Sequence, residues 1–66
     1  MIQLKDNYIY VVRYGYSYEH DNILGAYTSR YKARKAIKKE SLEGGKMYQE
    51  ANSRNGYVYI DTIEII

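Results

Sequence analysis

The side chains able to do chemistry in this chain are mostly phenols. Ten of its 66 residues are tyrosine, and it holds no phenylalanine and no tryptophan. A ring chosen only to fill a dry core has no use for a hydroxyl, which must reach water or a partner. Tyrosine therefore suits half-buried surfaces and contacts between molecules. Tyr8, Tyr10, Tyr14, Tyr16, Tyr18 and Tyr27 gather around one stretch of chain. The plainer reading is tyrosine replacing phenylalanine in a core, with its hydroxyls at the rim.

Other reactive groups are sparse. His20 is the sole imidazole, set between Glu19 and Asp21. Neighbours on a turn rarely converge on one point, so His20 reads as a solvated loop residue. No nucleophile–base–orienter set can be built around a single histidine. Cysteine is absent, which leaves too few soft ligands for zinc and no disulfide. Gly44-Gly45-Lys46 resembles a phosphate loop only in part. That pattern needs a glycine where Glu40 stands and a Ser or Thr where Met47 stands. No acid pair is flagged by spacing. The chain is therefore read as a non-enzyme without metal or cofactor.

The charge pattern is more informative. The net charge is only +2, yet residues 30–39 hold Arg30, Lys32, Arg34, Lys35, Lys38 and Lys39 with no acid among them. The plain reading is a solvated helix face, since Lys and Arg form helices well. The functional reading is an electrostatic footprint for nucleic acid or an acidic protein. Like charges at i and i+4, such as Arg30 with Arg34, cost a little helix stability. Glu40, Glu43 and Glu64 are the acids available to relieve them.

The elements that position these groups follow from periodicity. Residues 8–18 alternate strictly. Tyr8, Tyr10, Val12, Tyr14, Tyr16 and Tyr18 share one face, and Ile9, Val11, Arg13, Gly15 and Ser17 the other. This is the signature of a strand. Glu19-His20-Asp21-Asn22 reads as a turn, and Ile23–Tyr27 as a second strand pairing antiparallel with the first. Ser29 is placed to cap a helix over Arg30–Leu42, whose narrow apolar stripe is Ala33, Ala36, Ile37 and Leu42. Gly44-Gly45 ends it. Residues 46–53 fit a helical turn through Met47 and Ala51, or a short strand from Tyr48. Arg54-Asn55-Gly56 reads as a turn, and Tyr57–Ile66 as the closing strand.

These elements predict one α+β domain over residues 1–66. Its order is β-β-α-β, a three-stranded antiparallel sheet with the first strand central and the helix on one face. In the expected register, Ile9, Val11, Val58 and Ile60 meet Ala33, Ala36 and Ile37. Gly15 then lets the helix approach. The opposite, uncovered face is expected to carry Tyr8, Tyr10, Tyr14, Tyr16, Tyr57 and Tyr59 beside Ile63 and Ile65. An exposed aromatic patch of that size is uncommon on a monomer and marks an interface.

A domain this short buries only about 60% of its unfolded surface. Such domains commonly add disulfides, metals or a second subunit. With the first two set aside, a homodimer is the expected reinforcement. The absence of cysteine fits the cytoplasm. No apolar run approaches the ~20 residues of a membrane span, and Met1–Asp6 lacks the apolar stretch of a signal peptide.

Taken together, Tyr8 to Tyr18, Ile23-Leu24-Gly25-Ala26-Tyr27-Thr28-Ser29, Lys32-Ala33, Ala36-Ile37 and Gly56-Tyr57-Val58-Tyr59-Ile60 make a pattern. It resembles the small single-domain accessory proteins encoded by bacteriophages and mobile elements of Gram-positive bacteria. The resemblance implies a role in binding and blocking a host protein, sometimes a component of antiviral defence. It implies no catalytic residue. The leading expectation is a protein-binding module that docks through the tyrosine face onto a host protein or a second copy. The alternative is a nucleic-acid-binding protein using Arg30, Arg34, Lys35, Lys38 and Lys39.

Overall fold

The computed structural model describes residues 7–17 and 21–65. Strand β1 (Tyr8–Tyr16) is followed by β2 (Asn22–Tyr27), helix α1 (Arg30–Glu40), the short helix α2 (Tyr48–Ala51) and β3 (Gly56–Glu64). The sheet order is β2-β1-β3, antiparallel throughout. The α+β class, the element order and the central position of β1 are thus as the alternation predicts. Tyr18, His20, Glu19 and Ile66, assigned above to strand ends and a turn, lie outside the described residues. Among the described residues no helix is long and apolar enough to cross a membrane.

Helix α1 begins where Ser29 takes an extended conformation and its Oγ accepts a hydrogen bond from the Lys32 N–H at 3.1 Å. This satisfies one orphan amide of the first turn. The helix stops at Glu40, not Leu42, because the chain turns back on Glu40. Met47 N–H donates to the Glu40 carbonyl (2.9 Å), and Lys46 N–H to its Oε1 (3.0 Å). Gly44 adopts φ +91°, the left-handed region that glycine enters without steric cost. At Gly45 a Cβ would run into the Glu40 carbonyl. The turn drops Met47 into the interior, and residues 48–51 then make one helical turn. This decides the segment left open by sequence.

Val12, Ala33 and Met47 are fully buried and form the core. Tyr10, Tyr14, Leu24, Tyr27, Ile37, Val58 and Ile60 pack around them. The β1–β3 register sets Val12 opposite Ile60 and Tyr14 opposite Val58. A bulge between Val12 and Arg13 lets Leu24 join the same side of β2. The helices therefore cover the face of β1 that carries Tyr10, Val12 and Tyr14. This reverses the expected phase of β1. Ile9 and Val11 do not meet α1, and Gly15 does not ease its approach. Gly15 is buried opposite Tyr57 on the other face. Val58 and Ile60 face the helix as expected, as do Ala33 and Ile37. Leu42, read above as part of the buried stripe, is 61% exposed.

The reason for the reversed phase is Arg13. Placing Ile9, Val11 and Gly15 beneath α1 would have placed Arg13 there too, and a buried unpaired charge costs far more than a half-buried phenol. The helix offers only a small side chain at Ala33, and the large rings of Tyr10, Tyr14 and Tyr27 pack around it. Among the described residues no buried side-chain nitrogen or oxygen lacks a partner.

A core of this kind predicts an asymmetric response to truncation. Met47→Ala should lower the free energy of unfolding in urea by about 2–5 kcal/mol, because the removed atoms leave a cavity under a pinned turn. Ile63→Ala, on the uncovered face, should cost about 1 kcal/mol or less. Equal costs at the two positions would contradict the assignment of faces.

Candidate functional site

The face of the sheet away from the helices carries Ile9, Val11, Arg13 and Gly15 from β1. From β3 it carries Tyr57, Tyr59, Asp61 and Ile63, which the register sets beside them. Ala26 and Ile23 of β2 lie across from Val11 and Arg13. Among the described residues no element packs over this face. Tyr59, Ile63 and Ile65 are 44%, 43% and 47% exposed.

The face has two halves. One end is aliphatic, made of Ile9, Ala26, Ile63 and Ile65. The other is a polar network centred on Asp21. Tyr57 Oη and Tyr59 Oη both donate to the Asp21 carboxylate, the latter at 3.0 Å. Arg13 Nη1 lies 3.8 Å from Asp21 Oδ2, and Arg13 Nε donates to Asp61 Oδ2 at 3.1 Å. The two tyrosine rings lean together with centroids 6.0 Å apart. Asp21 thus ties the hairpin end to β3 across the central strand, and Arg13 compensates two carboxylates at once.

The network shifts the acidity of its members. The tyrosine hydroxyls hold the Asp21 carboxyl below its ordinary value of 3.8, aided by Arg13. The same carboxylate pushes Tyr57 up to about 12 and also raises Tyr59. A phenol driven upward is a poor base or nucleophile at neutral pH. The arrangement is a positioning device, with two rings fixed in place by one anion. Among the described residues no three His, Cys, Asp or Glu side chains gather as a metal site.

The predicted contact residues divide between the two faces. Tyr57, Tyr59, Ile63 and Ile65 belong to the uncovered side. Tyr10 and Tyr14 do not; both are half-buried against the core. Tyr8 and Tyr16 share their phase, Tyr8 at the margin with 36% exposure and Tyr16 half-buried opposite Gly56. The expectation of one six-tyrosine sheet face is corrected accordingly. Arg13, Asp21 and Asp61 were not anticipated as partners. Their signal was present: a lone cation within an otherwise uncharged strand must find an acid on a neighbouring strand.

On the far side of the molecule, Arg34, Lys35, Lys38 and Lys39 line a shallow, open groove along the outer face of α1 with Tyr31 and Leu42. Arg30 is set apart, its guanidinium 5.3 Å from the Tyr10 ring centroid. Glu40, Glu43 and Glu64 relieve none of these charges; the ion pairs among the described residues are those of Arg13.

The network gives a pH signature with two edges. Asp21 has a lowered folded-state pKa, so its contribution to stability is present above its ordinary value and is lost as pH falls through the lowered one. Tyr57 has a raised pKa, so its contribution is present below pH 10 and is lost as pH rises through about 12. Asp21→Asn should remove both edges. Tyrosine Cζ chemical shifts followed by NMR should show Tyr57 and Tyr59 titrating above their ordinary value of 10, and returning toward it in the variant. Unchanged midpoints in Asp21→Asn would contradict the network.

No curated protein and no solved structure matches this chain. A family profile described as a domain of unknown function, DUF7336, matches residues 7–66. With that match spanning most of its length, the chain belongs to the DUF7336 family.

Proposed function

We propose that this protein is a non-enzymatic protein-binding module that docks through the uncovered face of its sheet. The observation that carries the reading is that α1 and α2 pack on one side of a three-stranded sheet. Ile9, Ile63, Ile65, Tyr57 and Tyr59 are left together on the other. A contiguous apolar and aromatic patch on so small a domain favours burial against another molecule. Asp21 holds Tyr57 and Tyr59 in place, so little side-chain freedom remains to be lost on binding. The aliphatic half supplies apolar contact, and Arg13 with Asp61 supplies both signs of charge at its edge.

The small core supports the same reading. Three fully buried residues among those described are a slender interior, and a chain without cysteine gains most simply from a second protein surface. A second copy fits this face because a two-fold interface is self-complementary, and the exposed Ile63 and Ile65 of one copy can pack on those of the other. A host-cell protein is the alternative occupant, and the resemblance to phage accessory proteins favours it. A cytoplasmic setting is part of this proposal.

Light scattering on the purified chain, with a pull-down from bacterial lysate, tests the reading. A dimer gives a mass near twice 7.8 kDa, reduced to one chain by Ile63→Lys. A heterologous partner gives a monomer that retains a lysate protein, lost with Ile63→Lys and weakened about 30-fold or more by Tyr59→Ala. A monomer whose retained proteins are indifferent to both substitutions would overturn the reading.

A further inference from the structure

Helix α1 concentrates the positive charge of the molecule. Arg30–Glu40 holds six cations and one acid, a net +5 on a chain whose total is +2, so the remainder carries −3. The cations are exposed, and among the described residues no carboxylate pairs with them. Self-repulsion along one helix is thus left without internal relief. Four of the six converge on the groove. At its N-terminal end stands Tyr31, 70% exposed, with Lys35 Nζ 5.5 Å from its ring centroid. Leu42 stands at the other end.

We infer that this outer face of α1 binds single-stranded nucleic acid. Arg34, Lys35, Lys38 and Lys39 contact backbone phosphates, and Tyr31 is a stacking platform for one base. The charge calls for a polyanion. The exposed ring distinguishes the class of polyanion, because an aromatic face stacks on any unpaired base, whereas bases in a duplex are already stacked. An acidic peptide fits less well. A docked amphipathic helix needs apolar anchors every three or four residues. Here the positions between Tyr31 and Leu42 on the groove are cationic, so such anchors are missing between its two ends. The groove lacks Asn, Gln, Ser and Thr, the neutral side chains that read base edges. Recognition is therefore tolerant of sequence. This face lies across the sheet from the protein-docking face, so the inference stands independently of that reading.

Fluorescence anisotropy of a labelled 12-residue oligothymidylate with the intact chain tests it, alongside a 12-base-pair duplex and unlabelled polyglutamate as competitor. Four phosphate contacts predict a slope of log K against log salt of about −2.8. Replacing Arg34, Lys35, Lys38 and Lys39 together by Gln, which keeps a good helix former at each position, should abolish binding while circular dichroism stays unchanged. Tyr31→Ala should weaken binding by about 5- to 150-fold and Tyr31→Phe by much less, since stacking needs the ring and not the hydroxyl. The inference is overturned by absence of binding at low salt. It is equally overturned by tighter binding to the duplex, by polyglutamate competing as well as oligothymidylate, or by Tyr31→Ala binding like the parent. If the quadruple variant loses its helix, Tyr31→Ala and the salt slope decide the question alone.

Discussion

A single helix of three turns can cover one face of a three-stranded sheet and no more. The architecture follows from that constraint. Ala33 brings α1 close, and tyrosines of β1 and β2 pack around this small side chain together with Ile37. Met47, turned inward by the Glu40 turn, closes the layer beside Val12 and Ala33. The result is two layers thick, with a least dimension of 13 Å. The face beyond the sheet is left to water or to another molecule.

That second face is organised even without a covering element. Arg13 is the one described cation whose charge is met within the fold, and it is met twice, by Asp61 and by Asp21. Asp21 in turn fixes the phenols of Tyr57 and Tyr59. The pairs are partly exposed, so their Coulomb contribution is modest and screened by salt. Their consequence is geometric: the hairpin end, the central strand and β3 are joined at one point. The helix face is the electrostatic opposite, with cations that the fold leaves unmatched. The molecule thus presents two surfaces of different chemistry on opposite sides of one sheet.

Much of the architecture was legible in the sequence. Strict alternation through residues 8–16 marks β1 and Ser29 marks the start of α1, whereas the Gly44-Gly45 pair placed its end at Leu42, two residues beyond Glu40. The order of elements makes β1 central. The phase of β1 was not legible from apolarity alone, because both faces of the strand are apolar and Ile and Val outrank Tyr on any such scale. What decides the phase is the cost of burying Arg13, together with the volume that Ala33 leaves to be filled. Met47 was missed as a core residue because its inward turn depends on backbone hydrogen bonds to Glu40, which no local pattern announces. The basic groove was legible as a charge run, but its flanking Tyr31 and Leu42 emerge only once the helix is seen from outside. Asp21 was hidden because its partners lie 36 and 38 residues away.

The face assignment itself can be measured directly, since the chain has no cysteine and a single introduced thiol reports on one position. Thiol labelling should be compared in dilute protein for Ile63→Cys and Ile60→Cys, residues of the same strand on opposite sides of the sheet. We expect Ile63→Cys to react at a rate close to that of a free thiol and to become protected as a partner or a second copy is added. We expect Ile60→Cys to react slowly throughout, because α1 and α2 lie over its side. Fast labelling at Ile60→Cys with protection at Ile63→Cys in the dilute monomer would contradict the account.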